Sequence, residues 1–153
     1  MRSSADLLFV GVQVLLFVGL AVDPWGPQWT YPLWMKVIAW GVMACAVVAG
    51  VLALLQLGTS FTPWPSPRPG GRLVRSGAYA RARHPIYACL VYFGMGLTIA
   101  TDSVWRGAMT GLLMALFYFK SEYEERLLRE RFPDYEDYAR EVSRFGVPAR
   151  SGR

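Results

Sequence analysis

Four apolar runs, at residues 7–22, 33–57, 85–100 and 104–119, take up more than half of the first 120 positions and leave little room for a water-soluble core. With 54% apolar and only 18% charged residues, the chain needs the membrane as part of its solvent. The second run is long enough for a hydrocarbon core of ~30 Å, whereas the other three sit near or below the usual minimum of ~17 residues. Short spans imply thinning, tilt, or helices that continue past the lipid. The expected fold is therefore all-α: a single integral membrane helical bundle of about four transmembrane helices with a cytoplasmic C-terminal helical extension. Residues 1–57 would hold the first two spans, 58–84 a cytoplasmic connection, 85–132 a helical hairpin and 133–153 a cytoplasmic tail.

The first run also has features of a secretory signal, since Arg2 precedes it and the small residues Gly19 and Ala21 lie at its end. Its removal would deprive the second run of a partner. It is read here as a span.

Charge placement gives the orientation. With four spans, Arg2, the arginines 68, 72, 75, 81 and 83, and the tail from Lys120 onward fall on one side. The opposite loops carry Asp23 and Asp102 with only Lys36 and Arg106 near them, so both termini are expected in the cytoplasm and the protein in the cell's inner membrane. This asymmetry accounts for the pI of about 9.5, and no nucleic-acid partner is needed to explain it. The partner is the lipid bilayer. Trp25, Trp29, Tyr31, Trp34 and Trp105 fit an outer aromatic belt. Gly107 and Gly111 form a GxxxG that marks close helix packing more than dimerisation, and the oligomeric state stays open.

Cys45 and Cys89 lie inside apolar runs and form no CxxC pair, and His84 is the one histidine. That pattern argues against a disulfide or a zinc site, and no metal is expected.

His84 sits in the segment Arg81-Ala82-Arg83-His84-Pro85-Ile86-Tyr87, a basic cluster with a proline at the mouth of the third run. Proline suits the first helical turn, whose free N–H groups, together with Arg81 and Arg83, would favour an anion there. Asp102 and Ser103 can cap the fourth helix, which makes the last two spans a tight antiparallel hairpin. Reflection about Asp102 sets His84 level with Lys120, so the acidic run Glu122-Tyr123-Glu124-Glu125 falls within about one turn of the basic cluster. Taken singly, each charged run is explained by a positive-inside stop or by pairing with Arg126 and Arg129 on a solvated helix. Their convergence at one depth points to a polar site at the membrane surface.

Upstream, residues 62–71 contain four prolines and two glycines, which mark an irregular connection that delivers Tyr79 and several arginines to the third run. Beyond Pro133, Asp134 is placed to cap a short helix with Tyr135, Tyr138, Val142 and Phe145 in a stripe. Such a stripe packs against protein or headgroups, and it could also roof a cofactor held at the hairpin mouth.

From about residue 71 to residue 148 the chain resembles the membrane methyltransferases typified by isoprenylcysteine carboxyl methyltransferase and related to the phospholipid N-methyltransferases. The matching pieces are Leu73-Val74, Gly77-Ala78-Tyr79, Arg83-His84-Pro85-Ile86-Tyr87, Glu124-Glu125 with Leu128, Phe132, Tyr135 and Tyr138, and the stretch from Val142 to Pro148. The resemblance covers about half of the chain, and its ordered combination is far more specific than any one piece. It departs from the family at Ala78, where proline is common, and at Pro133, where glycine is common.

The resemblance implies S-adenosyl-L-methionine as cofactor, bound without a Rossmann domain, and a lipophilic small-molecule or lipidated acceptor that enters from lipid. The acceptor atom could be an isoprenylcysteine-like carboxylate, a lipid amine or a small thiol. The resemblance also implies that Tyr79, Arg83, His84, Pro85 and Tyr87 form the cofactor pocket with Glu124 and Glu125 as acidic counterparts; no catalytic residue is assigned. Glu125→Gln and His84→Ala are accordingly expected to weaken cofactor binding and to leave folding intact. The competing expectations are an NADPH-dependent membrane reductase related to sterol reductases, and a non-catalytic membrane scaffold.

Overall fold

The computed structural model describes residues 3–146. The expected contributions of Arg2, of the arginines beyond position 146 and of the resemblance at residues 147–148 lie outside the described residues. Helices account for the regular structure: α1 (Ser4–Ala21), α2 (Leu33–Leu57), α3 (Pro85–Ala100), α4 (Val104–Arg131) and α5 (Tyr135–Glu141), with 3-10 turns at Gly58–Ser60 and Gly77–Ala80.

The ends of these helices follow from local chemistry. Ser3 opens α1 by accepting from the Ala5 N–H, while Asp6 reaches back to the Ser3 N–H, a reciprocal capping box. Pro85 takes the first position of α3, where its missing N–H is no loss. Ser103 caps α4 by accepting from the Arg106 N–H. Asp102, expected to share that cap, does something else. It adopts a positive φ of 56°, accepts from the Tyr31 N–H at 2.8 Å and pairs with Lys36, so it fastens the α1–α2 loop onto the α3–α4 turn. Asp134 precedes α5 without a side-chain cap, and α5 ends before Val142 and Phe145, so the helix is shorter than the tyrosine stripe.

Packing sets the helices in a row. α1 rests on α4, α4 on α3 and α3 on α2, while α1 and α2 stand at the two edges. Small residues allow the close approaches. A Cβ on Gly96 would come within 2.5 Å of Met43 and 2.9 Å of the Ala39 carbonyl on α2, and one on Gly94 within 2.6 Å of Thr110 on α4. Of the GxxxG pair, Gly107 lies against Thr98 whereas Gly111 faces open space. The tightest glycine contacts between the long helices are thus on α3. Gly96→Leu is expected to push α2 off α3 and cost at least ~1–3 kcal/mol, read as a lower unfolding temperature in detergent.

The exterior differs from that of a water-soluble domain. Leu8, Leu15, Val37, Trp40, Leu55, Leu112, Met114 and Phe119 are exposed, while Asp6, Thr110, Lys120, Ser121 and Glu125 are buried. An apolar exterior suits lipid, and the interior combines these polar groups with apolar residues such as Leu20, Leu113 and Phe117. α1 and α2 are long and apolar enough to cross a membrane, and α3 is apolar but shorter. α4 does not stop at Phe119. Its 28 residues extend ~42 Å, and the part beyond Phe119 carries the acidic run.

Candidate active site

Glu125, with no exposed surface, is the centre of a buried ionic cluster. Arg83 reaches it with a two-pronged fork, Nε to Oε1 at 3.0 Å and Nη2 to Oε2 at 3.1 Å. Arg144 makes a second fork at 3.1 and 3.3 Å, His84 Nε2 lies 3.1 Å from Oε1, and Arg129 approaches Oε2 at 3.5 Å. Burial raises the Glu125 pKa, but hydrogen bonds from His84, Arg83 and Arg144 outweigh that and hold it down at about 2. Arg83 also donates through Nη1 to the Ala139 and Val142 carbonyls, and the Arg83 and His84 N–H groups donate to the Ser143 and Arg144 carbonyls. One carboxylate therefore locks three separate segments: the entry to α3, the extension of α4 and the segment after α5.

This arrangement alters the expected roles. The anion anticipated at the mouth of α3 is supplied from within the chain by Glu125. Arg81 is exposed and takes no part. Glu125 does not line the adjoining cavity, and its oxygens are committed to the cluster. The expectation that Glu125→Gln spares the fold is accordingly revised.

His84 stands at the N-cap of α3, buried, with its ring stacked parallel to Tyr87 at 5.5 Å. Its Nδ1 lies 3.4 Å from Glu124 Oε2, and its Nε2 faces Glu125. Burial works against the charged imidazole, and the two glutamates overcome it, so the His84 pKa is raised. Neither nitrogen is left free to take a proton from an acceptor.

Beside the cluster opens a cavity of about 260 Å³. Of the expected cofactor residues, Tyr79, Arg83, His84, Pro85, Tyr87 and Glu124 line it. Glu124 accepts from the Tyr87 hydroxyl at 3.0 Å through Oε2, and among the described residues no hydrogen bond falls on its Oε1. The Tyr138 hydroxyl donates to the Tyr79 carbonyl at 2.6 Å, which ties α5 to the second 3-10 turn; burial, foremost, lifts the Tyr138 pKa to about 12. Arg75 adds a bond to the Asp134 carbonyl at 2.6 Å and sits over the Tyr138 ring.

Tyr135 is the residue that motif reading left out of the site. It is 1% exposed and lines the cavity, yet its hydroxyl has no hydrogen-bond partner among the described residues. A buried hydroxyl without a partner costs roughly 1–3 kcal/mol, which a polar ligand reaching it from the cavity would recover. The stripe of Tyr135 and Tyr138 was the available signal, and the structure sets both rings against the cavity rather than the headgroup layer.

The connection closes the opposite wall. Pro65 is fully buried, the Ser66 hydroxyl donates to Asp6 at 2.5 Å, Lys120 Nζ donates to the Pro63 carbonyl at 3.0 Å, and Arg131 reaches the Pro67 carbonyl at 3.3 Å. A segment with no regular structure is thus pinned to α1 and α4 at three points.

Residues 34–135 match the phospholipid methyltransferase family, which takes in α2, the connection, the ionic cluster except Arg144, and the start of α5. The chain is 32% identical over 122 residues to a cobalt-zinc-cadmium resistance protein of Cupriavidus metallidurans, covering 79% of this chain and 52% of that protein. It is 37% identical over 81 residues to a nickel-cobalt-cadmium resistance protein of Alcaligenes xylosoxydans xylosoxydans, covering 52% of this chain and 38% of that one. The chain spans about half or less of the length of these curated relatives. The match over two thirds of its length, on a scaffold with a lipid-suited exterior and a cavity beside a buried ionic cluster, places this chain in the phospholipid methyltransferase family, a family of membrane methyltransferases.

Proposed function

We propose that this protein transfers a methyl group from S-adenosyl-L-methionine to a lipophilic acceptor at the cytoplasmic face of the inner membrane, with four helices spanning the bilayer, α5 on the cytoplasmic side and both termini in the cytoplasm. The observation that carries this reading is a cavity lined by both Glu124, whose Oε1 accepts no hydrogen bond among the described residues, and Tyr135, whose buried hydroxyl has no partner among them. A carboxylate acceptor and a hydroxyl donor match the amine or ribose hydroxyls and the carboxylate or ring nitrogens of that cofactor. The cofactor would supply an activated sulfonium methyl. Tyr79, Arg83, His84, Pro85, Tyr87 and Glu124 would form its pocket, with Tyr135 added and Glu125 behind it as the residue that fixes Arg83 and His84.

The chain's own groups then act by position. Glu125 holds Arg83 rigid, Tyr87 holds Glu124, and the pinned connection lines the cavity, so orientation supplies most of the rate. A carboxylate acceptor needs no base. An amine or thiol must give up a proton, and His84, held through both nitrogens, is not placed to receive it.

Calorimetric titration of the detergent-solubilised protein with S-adenosylhomocysteine tests this, with NADPH as the comparison. Saturable binding of the former alone is expected. Binding of NADPH alone would replace the methyl-transfer reading with a reductase, and binding of neither to folded protein would leave a scaffold.

A further inference from the structure

Gln13 is the one polar side chain in the apolar stretch of α1 from Leu7 to Val22. It is half-buried and lines the cavity together with Lys120 of α4 and Tyr87 and Leu90 of α3. α1 lies outside residues 34–135, so the family match gives Gln13 no role. A lone amide in an apolar span is costly against lipid, and such residues turn to the protein interior or to a cavity.

Its neighbour decides which way the amide is turned. Lys120 is 1% exposed, and its ammonium donates to Gln13 Oε1 at 2.7 Å and to the Pro63 carbonyl at 3.0 Å. An ammonium has protons to give and no lone pair, so it holds the amide oxygen and turns the NH₂ away. Among the described residues Nε2 has no hydrogen-bond partner, and it is not sealed inside the protein. Donors are thus left over on a residue that lines the cavity. A glutamate would neutralise Lys120 more directly, whereas the amide serves Lys120 with its oxygen and keeps a donor besides. The ammonium also draws electrons toward Oε1, which strengthens the N–H groups as donors.

We propose that Gln13 is a specificity-determining residue, with Lys120 as its positioning residue: it donates to an oxygen with a free lone pair, such as a carbonyl, on the lipophilic methyl acceptor, and it disfavours an acceptor whose head is an ammonium. This rests on the methyltransferase reading in taking that ligand to be the methyl acceptor. An ammonium has only donors to offer, so it would leave the Gln13 N–H groups unpaired and add a second cation beside Lys120. The cofactor also carries oxygens, and the test separates the two sources.

The test is calorimetric titration of the protein in one nonionic detergent with 2-dodecanone, dodecane and dodecylamine, affinities being referred to the probe in the micelle, and with S-adenosylhomocysteine in parallel. Wild type should bind 2-dodecanone about three- to tenfold more tightly than dodecane, the effect of one hydrogen bond, and dodecylamine more weakly than 2-dodecanone. Gln13→Glu keeps an oxygen for Lys120 and pairs with it, so its unfolding temperature should hold or rise, yet it offers no donor. Its preference for 2-dodecanone over dodecane should vanish while dodecylamine gains. A folded Gln13→Glu that kept the wild-type preference would overturn the proposal. So would a wild type that bound 2-dodecanone no more tightly than dodecane, a result that stands even if Gln13→Glu fails to fold. A loss confined to S-adenosylhomocysteine, with the probe preference unchanged, would give the amide to the cofactor and overturn the proposal as well. If the preference changed as expected but S-adenosylhomocysteine bound to neither protein, Gln13 would stand as a selecting residue and the methyltransferase reading would fall.

Discussion

Glu125→Gln should destabilise the folded protein by about 3–5 kcal/mol, because it leaves several buried or half-buried cations without their anion. An amide cannot replace the carboxylate here. Arg83 and Arg144 each place an N–H on both oxygens, so whichever way the glutamine is turned its NH₂ faces guanidinium donors. The pH profile of unfolding carries the same information. Glu125 is held near 2 against an ordinary 4.5, so its contribution is present above pH 4.5 and is lost as pH falls toward 2. His84 is raised above 6.5, so its contribution is complete below pH 6.5 and is lost as pH rises through its folded value. Wild type should therefore be most stable between these limits, and Glu125→Gln should lower the maximum and flatten the acid limb. Thermal unfolding in detergent across this range is the measurement. A variant that unfolds at the wild-type temperature with an unchanged acid limb would show that the cluster does not hold the fold.

Much of the architecture was legible because hydropathy and helix signals agree. The boundaries of α2 and α3 coincide with their apolar runs, and Pro85 and Ser103 mark helix starts as their chemistry dictates. The meeting of His84 with the acidic run could be read from hairpin geometry, although the partners are Glu124 and Glu125, a turn beyond the level that simple reflection gives. The allocation of roles within the site could not be read. Glu124 and Glu125 are neighbours in sequence, yet their side chains point about 100° apart on a helix, so one faces the cavity and the other faces the arginines. Arg144 lies 19 residues from Glu125, and nothing local announces that it returns to pair with it. The same is true of Gln13 and Lys120, 107 residues apart, and of the irregular connection pinned between them. Long-range polar contacts leave no period in a sequence. Asp102 fits this pattern too, since a residue suited to capping was taken for a loop contact that only the assembled fold provides.

Tyr135→Phe separates a ligand-binding role from a structural one, since the Tyr135 hydroxyl makes no hydrogen bond among the described residues. Its removal takes nothing from the fold. Relief of an unsatisfied buried oxygen should hold the unfolding temperature constant or raise it, with a gain of up to ~1 kcal/mol. Binding of S-adenosylhomocysteine should move the other way and weaken several-fold, since a neutral hydrogen bond is worth ~0.5–1.5 kcal/mol. Glu124→Gln should have the larger effect on binding, about tenfold or more, because a charged acceptor is lost from the cavity wall. It keeps an oxygen for the Tyr87 hydroxyl, so its effect on folding should stay well below that of Glu125→Gln. The two neighbouring glutamates are thus expected to split cleanly, with position 124 read by ligand titration and position 125 by unfolding. If Tyr135→Phe bound S-adenosylhomocysteine as tightly as wild type and Glu124→Gln did the same, the ligand would lie elsewhere, and the free oxygen and hydroxyl on this wall would need another partner.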